Sequence, residues 1–303
     1  MRKVIEGTTI EHFEVWPTVD NLISNFEKIV YHQEEPFATA SIYAQWEVFK
    51  LARENNVTVL LDGQGADEVL AGYTHFFVPY FKEVYRQSGS KSLAEAHRHF
   101  LQNNIVEEEI NINLLFKIET QFPCLPRFLR FTKRGLFGMG TTAEIHPELH
   151  DAFRKFPSPF EEHRDLNEAL RYFTTVSGLD KLLRFADRNS MAHSCEIRLP
   201  FLSHELVEFV FSLPSEYKIR EGWTKALLRF SMQDILPPEI VFRKNKLGFQ
   251  PPQQQWEKNN NFIAYAQELQ QVAIQNRYIC DNGMVSWKGA VLGGFIQMNS
   301  KIG

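Results

Sequence analysis

The 303 residues are 44% hydrophobic and 23% charged, a globular balance that supplies a sizeable core, and the formal net charge of -4 gives no basic footprint for nucleic acid. Three cysteines (Cys124, Cys195 and Cys280) without paired spacing read as reduced thiols, which excludes a disulfide framework and a zinc site. No stretch approaches the roughly 20 apolar residues of a membrane span, and the opening MRKVIEGTTIEHFEVW is no signal peptide, so a soluble, cytoplasmic protein is expected.

After Pro17, the spacing of Leu22, Ile23, Phe26, Ile29 and Val30 predicts a helix, with Thr18 or Asp20 as its N-cap. HQEEPF (32–37) is a turn. A second helix is expected over Ser41–Asn55, with Ile42, Trp46, Phe49 and Ala52 on one face. VTVLL (57–61) reads as a buried parallel strand, and the turn DGQGAD then leads into a helix over EVLAGY. Ligands in such α/β units sit at the carboxyl ends of strands. From Tyr80 to Glu161 the chain reads as mostly helical, with a loop around KRGLFGMGTT (133–142). Periodicity returns at Leu166, and Leu179, Leu182, Leu183 and Ala186 form one apolar face, with Arg184, Asp187 and Arg188 elsewhere on the turn. Ser203 would cap HELVEFVFSL, which carries Glu205 in its first turn. A helix over Thr224–Ile235 stops at Pro237-Pro238, and PPQQQWEKNNN (251–261) reads as a loop.

The strand-end turn is the first candidate for chemistry. Gly63 and Gly65 permit torsions closed to other residues and let a ligand approach the main chain. Amides at the following helix start favour anions, and Asp67 with Glu68 could hold a magnesium ion that bridges phosphates. The local pattern also fits a tight structural turn whose two acids complement a helix dipole.

VLLDGQGADEVLAGY (59–73) resembles the second signature of asparagine synthases, in which a Ser-Gly-Glu-Gly-Ser/Ala-Asp-Glu turn follows a strand. LLRFADRNSMAHSCEIRLPFLSHELVEFVFSLP (182–214) resembles that family's long C-terminal signature, EGWTKALLR (221–229) its G-x-x-K-x-x-L-R element, and RKNKLGFQPP (243–252) its basic Gly-Phe segment. HQEEPF is also family-like. The resemblance covers most of residues 12 to 252 and is weakest between about 80 and 160.

The resemblance implies an α/β fold. Its sheet would be a partial parallel one of the adenine nucleotide alpha hydrolase-like kind (PP-loop ATP pyrophosphatase), joined to a large helical C-terminal body. Residues 1–79 would be a partial ATP-binding region lacking the pyrophosphate loop, and 80–303 the mostly helical remainder of one domain. It also implies adenylation of an aspartate side-chain carboxylate with ATP and Mg2+, then displacement of AMP by ammonia. By resemblance, Asp62 and Gly63 contact ATP, Asp67 lies near the magnesium and pyrophosphate, and Lys225 neutralises charge on the transferring phosphate. Arg188 with Asp187 is either a substrate contact or a salt-bridged helix pair. Glu196 and Arg198 brace the fold, Arg243, Lys244 and Lys246 are either phosphate contacts or a solvated basic loop, and Cys195 is a small buried side chain.

Three departures qualify this. The family's upstream Ser-Gly-Gly-x-Asp-Ser loop is absent from the sequence, SGLDK (177–181) being a decoy, and the loop is expected to precede Met1. A glutaminase domain is likewise not present, so ammonia would come from elsewhere and the chain by itself is expected to be inactive. Gln64 stands where the family has Glu, and a neutral amide cannot act as a base; this leaves open another carboxylate acceptor, on a saccharide or β-lactam precursor, or a non-catalytic remnant. Ser203 replaces a frequent Asp, but both are good N-caps. The sequence leaves a homo-oligomer open.

Overall fold

The computed structural model describes residues 2–6, 8–104, 110, 112–121, 145–149, 163–176, 178–244, 249 and 251–302. The loop predicted at 133–142, Cys124 and Lys246 lie outside the described residues. Helices dominate, and the named strands form one two-stranded parallel sheet.

The predicted first helix spans Val19–Gln33, and Thr18 caps it by accepting a hydrogen bond from the Asn21 amide. The second spans Ser41–Glu54, with Ile42, Trp46 and Phe49 buried as the periodicity demands. Both pack on the helix Leu179–Ala192. That helix buries Leu179 and Ala186 as expected, but Leu182 is exposed and Asn189 and Ser190 take its place in the core. Asn189 explains the shift. Its Oδ1 accepts from Gln33 Nε2 at 2.8 Å, while its Nδ2 donates to the Ile42 carbonyl at 2.9 Å and Gln45 Oε1 at 3.0 Å. A buried amide satisfied on both ends is tolerated where an unpaired one would cost about 1–3 kcal/mol.

β1 is Val59–Leu61, shorter than the predicted run, and it pairs in parallel with β2, Glu196–Arg198. The register sets Val59 opposite Glu196 and Leu61 opposite Arg198. The expectation of a buried strand fails here: Val59 is 41% and Leu61 74% exposed. They alternate to one face of the sheet, where Glu196 and Arg198 pair with each other at 2.7 Å, and nothing among the described residues covers that face.

Two further helices are shorter than their sequences predict. The helix after the glycine turn is the single turn Ala66–Val69, and the predicted Thr224–Ile235 helix is only Ala226–Ser231, followed by Pro238–Val241. The long helix Phe77–Asn103 is broken at Gly89, whose φ of 73° no continuous helix allows. Its aromatic side chains Phe77, Phe81 and Phe100 form a second core with Leu166 and Leu170 of the helix Leu166–Thr175. The polar run 251–261 is not a plain loop: Gln253–Trp256 is a helical turn, Trp256 is buried, and Asn259 caps the helix Asn260–Gln275. That helix and Trp287–Ile302 form a hairpin closing the first core, with Phe262 stacked on Trp287.

His193, at the end of Leu179–Ala192, sits against Trp46 with ring centroids 4.4 Å apart, and its Nε2 is buried without a hydrogen-bond partner among the described residues. Burial first, then the neighbouring His32 and Lys50, hold its pKa down to about 4. The unfolded chain therefore binds this proton near pH 6.5 while the native state refuses it until about pH 4. Stability contributed by neutral His193 is thus lost as pH falls through that window. His32, also lowered by burial against the opposing effect of Glu34, acts in the same sense, and buried Glu47, whose carboxyl is raised, acts in the opposite one. Urea denaturation of His193→Phe should show a flatter loss between pH 6.5 and 4; an unchanged slope would contradict the assignment.

Candidate active site

At the carboxyl end of β1, Asp62 extends the ladder by donating its amide to the Arg198 carbonyl at 2.9 Å. The chain then turns through Gly63, Gln64 and Gly65. Gly65 alone of the two glycines has a positive φ, 87°, and a Cβ there would meet Leu202 at 2.2 Å. Gly63 is exposed, with nothing within 4 Å of where its Cβ would lie, so the main chain there is open to close approach. The anion-binding helix start expected at this point is absent, because four residues sum too few peptide dipoles.

The two acids after the turn part company. Glu68 is buried and accepts a hydrogen bond from the Tyr73 hydroxyl at 2.8 Å, so it does not join Asp67 as a metal ligand. Asp67 instead meets Lys225, with Nζ 3.1 Å from Oδ1 and both side chains about one-quarter exposed. Among the described residues no group of three or more His, Cys, Asp or Glu gathers to hold a metal. One carboxylate nevertheless suits magnesium, which takes one or two from protein and completes its shell with phosphate oxygens and water.

Lys225 is positioned by unusual backbone. Its φ of 52° and ψ of 36° are left-handed, a region that costs a non-glycine residue about 1–2 kcal/mol. Glu221 and Gly222 just before it also have positive φ, and the Ala226 amide then bonds the Lys218 carbonyl at 2.9 Å. The helix therefore begins after the lysine, and the side chain is carried on the strained turn.

Gly72 is the site residue that sequence reasoning missed. A Cβ there would fall 1.8 Å from Asp67 Oδ1 and 2.3 Å from Lys225 Cε. Its amide also donates to the Asp67 carbonyl at 2.7 Å. The pair meets in the space that a side chain at 72 would fill. The available signal was a glycine a few residues beyond the acid, which reads only as a helix stop.

The other sequence candidates separate. Gln64 is half-buried at the turn, and its Oε1 is buried without a partner among the described residues. Arg188 pairs with Glu34 at 2.6 Å and more distantly with Asp187 at 3.9 Å, while Arg184 pairs with Glu35 at 2.9 Å and donates to the Gln33 carbonyl at 3.0 Å. DRNSMA and HQEEPF thus clamp each other, and Arg188 faces a separate cavity with Tyr31, Met191 and Phe295. Arg243 and Lys244 do join Asp67 and Lys225 around one cavity, although Lys244 Nζ is engaged with the Gln102 carbonyl at 2.7 Å. Glu196 and Arg198 lie in β2, paired with β1 and with each other. Cys195 is buried as expected, and Ser203 precedes its helix without a side-chain cap bond.

The glycine turn at the end of a parallel strand thus has an acid–lysine pair beside it, at the strand end where α/β proteins commonly place ligands. The profile of the family described as asparagine synthase matches residues 1–285. This chain belongs to the asparagine synthase family. It is 28% identical over 268 residues to asparagine synthetase [glutamine-hydrolyzing] 1 of Bacillus subtilis, covering 82% of this chain and 39% of that protein. It is 28% identical over 276 residues to a putative asparagine synthetase [glutamine-hydrolyzing] of Mycobacterium tuberculosis, covering 86% and 40%. With the asparagine synthetase [glutamine-hydrolyzing] of Gallus gallus it shares 40% identity over 94 residues, 30% of this chain and 16% of the other. The chain spans about two fifths of the length of the first two relatives. Among the described residues no helix is long and apolar enough to cross a membrane.

Proposed function

We propose that this chain is the carboxylate-activating part of an ATP-dependent amide ligase. In this reading a substrate carboxylate oxygen attacks the α-phosphorus of ATP, the bond to the departing pyrophosphate breaks, and an acyl-adenylate forms. Ammonia then attacks the carbonyl carbon, AMP leaves, and the nitrogen loses a proton to solvent. The observation that carries the reading is the 3.1 Å pairing of Lys225 with Asp67, which joins two far-separated segments beside the strand-end turn.

Each residue has a part. Asp62 and Gly63 face ATP at the strand end, where the open space over Gly63 supports close approach. Asp67 supplies a carboxylate to Mg2+, which when bound would neutralise phosphate charge. Lys225 stabilises charge on the transferring phosphoryl group. Gln64, unable to take a proton, presents its unpartnered Oε1 to an N–H of the incoming amine. Residues 1–79 serve as the ATP-facing part and 80–303 as the remainder of one domain completed by a pyrophosphate loop supplied upstream in a longer chain. The exposed Val59 and Leu61 support such a completed sheet, since parallel sheets are normally covered on both faces. Ammonia would come from a glutaminase domain, and the soluble site would be cytoplasmic.

A chain extended upstream should catalyse carboxylate-dependent ATP–pyrophosphate exchange, and Lys225→Ala should lower it by about 10²–10³-fold, the usual cost of one such electrostatic donor. Exchange that survives the substitution removes Lys225 from the chemistry. Lack of exchange with any carboxylate would favour the non-catalytic reading.

A further inference from the structure

Both peptide groups that flank Lys225 are bonded to one residue. The Thr224 carbonyl accepts from Arg229 Nε at 2.7 Å, and the Lys225 carbonyl accepts from the Arg229 amide at 2.9 Å. Peptide groups are planar, so holding these two sets φ and ψ of the residue between them, at the left-handed 52° and 36°. In a regular helix the Thr224 carbonyl would accept from the amide four residues on, at Leu228. Here a side chain takes that carbonyl, and the helix starts at Ala226.

The guanidinium is itself held. Its Nη1 donates to the Val241 carbonyl and, at 3.4 Å, to the Arg243 carbonyl, and its Cζ lies 5.1 Å from the Trp223 ring centroid. One planar cation thus ties the Lys225 turn to the segment carrying Arg243 and Lys244, and all of these line one cavity with Asp67. A lysine cannot reproduce this, because an ammonium is a point charge, whereas the guanidinium fork donates in fixed directions to carbonyls on two sides. Burial lowers the Arg229 pKa, and Arg243 adds in the same sense, so the fold keeps a cation here against its desolvation. Released from this grip, Lys225 has the propensity to join the helix behind it, and its Nζ would leave Asp67 Oδ1, now 3.1 Å away.

We infer that Arg229 is a positioning residue for the activation step, holding Lys225 in the backbone conformation that aims its ammonium at Asp67 and the transferring phosphate. The inference rests on the adenylating reading above and adds to it a residue that acts through Lys225 alone.

Exchange kinetics on the upstream-extended chain test it, with rates taken per folded molecule and the folded fraction read by urea denaturation of the same preparations. Arg229→Lys should lower kcat for ATP–pyrophosphate exchange by about 10–10²-fold and leave the KM for ATP within about twofold, since misplacing a reacting group costs rate rather than ground-state binding. In a Lys225→Ala background the same substitution should cost less than about twofold, because no ammonium remains to be misplaced. Trp223→Leu removes the platform under the guanidinium but leaves both carbonyls, so it should show a smaller loss that also vanishes in that background; it carries the test if Arg229→Lys does not fold. Full kcat in the variants overturns the inference. So does an equal loss with and without Lys225, which would mean that Arg229 acts on the reaction independently or through the fold at large. A parent chain that exchanges while the variants are unimpaired removes the positioning role and leaves adenylation standing, whereas a parent that exchanges with no carboxylate removes both.

Discussion

Gly293→Ala is expected to destabilise the protein by about 2 kcal/mol or more, while Gly294→Ala next to it costs little or nothing. Both glycines lie inside the helix Trp287–Ile302, where alanine gains roughly 0.8–1.0 kcal/mol in propensity. At 294 the new methyl meets a side-chain carbon of Phe26 at 3.2 Å, which a small ring shift relieves. At 293 it falls 1.8 Å from the Leu269 carbonyl oxygen and 2.5 Å from the carbonyl carbon. Those atoms are main chain of the helix Asn260–Gln275, so no rotamer change can make room. The helices must separate, and separation loosens Leu269, Ala290 and Val291, which belong to the core that also holds Phe26 and Trp46. Gly289 lies one turn earlier on the same face, where a methyl would press on Gln270. Gln270 accepts from the Ser286 amide and donates to the Met284 carbonyl, so the turn joining the helices depends on it. Chemical denaturation of the two alanine variants checks the contrast; equal stability at 293 and 294 would mean the helices do not pack this closely.

The sequence made some of this legible because period and capping are local. The helices at Val19–Gln33 and Ser41–Glu54 follow from apolar spacing, and Thr18 from its hydroxyl. Other features depend on partners distant in the chain. Glu196 and Arg198 form a strand only because Val59 and Leu61 lie alongside, and EIR alone has no length to declare a period. Leu182 fits the predicted apolar face, yet the buried positions go to Asn189 and Ser190, because Gln33 and Gln45 satisfy an amide there. A hydrophobic count cannot anticipate that exchange. Nothing in the local sequence marks Gly289 and Gly293 as the places where the helix Asn260–Gln275 presses closest.

The site divides in the same way. The asparagine synthase resemblance singled out Asp67 and Lys225, and the fold brings them within 3.1 Å. It could not tell that Arg188 is held by Glu34, because HQEEPF and DRNSMA look equally chemical as strings. Their mutual clamp gives both a structural duty. Lys225 carries the reverse lesson. Its propensity suits a helix interior, but its left-handed backbone makes the helix start only after it, at Ala226.

Gly72→Ala should reproduce most of the catalytic loss of Lys225→Ala without removing a charged group. The added methyl would occupy the space now held by Asp67 Oδ1, 1.8 Å away, and Lys225 Cε, 2.3 Å away. Both are side-chain atoms, so the site gives way where the fold need not: the carboxylate and the ammonium swing apart. A misplacement of about 1 Å can cost 10²-fold in rate. The stability cost should be small, since an ion pair with both partners partly exposed contributes about 0–1 kcal/mol. Gly63→Ala is the control, because its methyl enters open space and leaves the pair untouched. In the exchange assay of an upstream-extended chain, Gly72→Ala should lower kcat about 10²-fold with the urea midpoint nearly unchanged. Gly63→Ala should act on the KM for ATP, since its methyl intrudes where the nucleotide approaches the main chain. If Gly72→Ala kept its full kcat, a close Asp67–Lys225 pair would not be needed for the reaction, and the lysine would be acting from some other position.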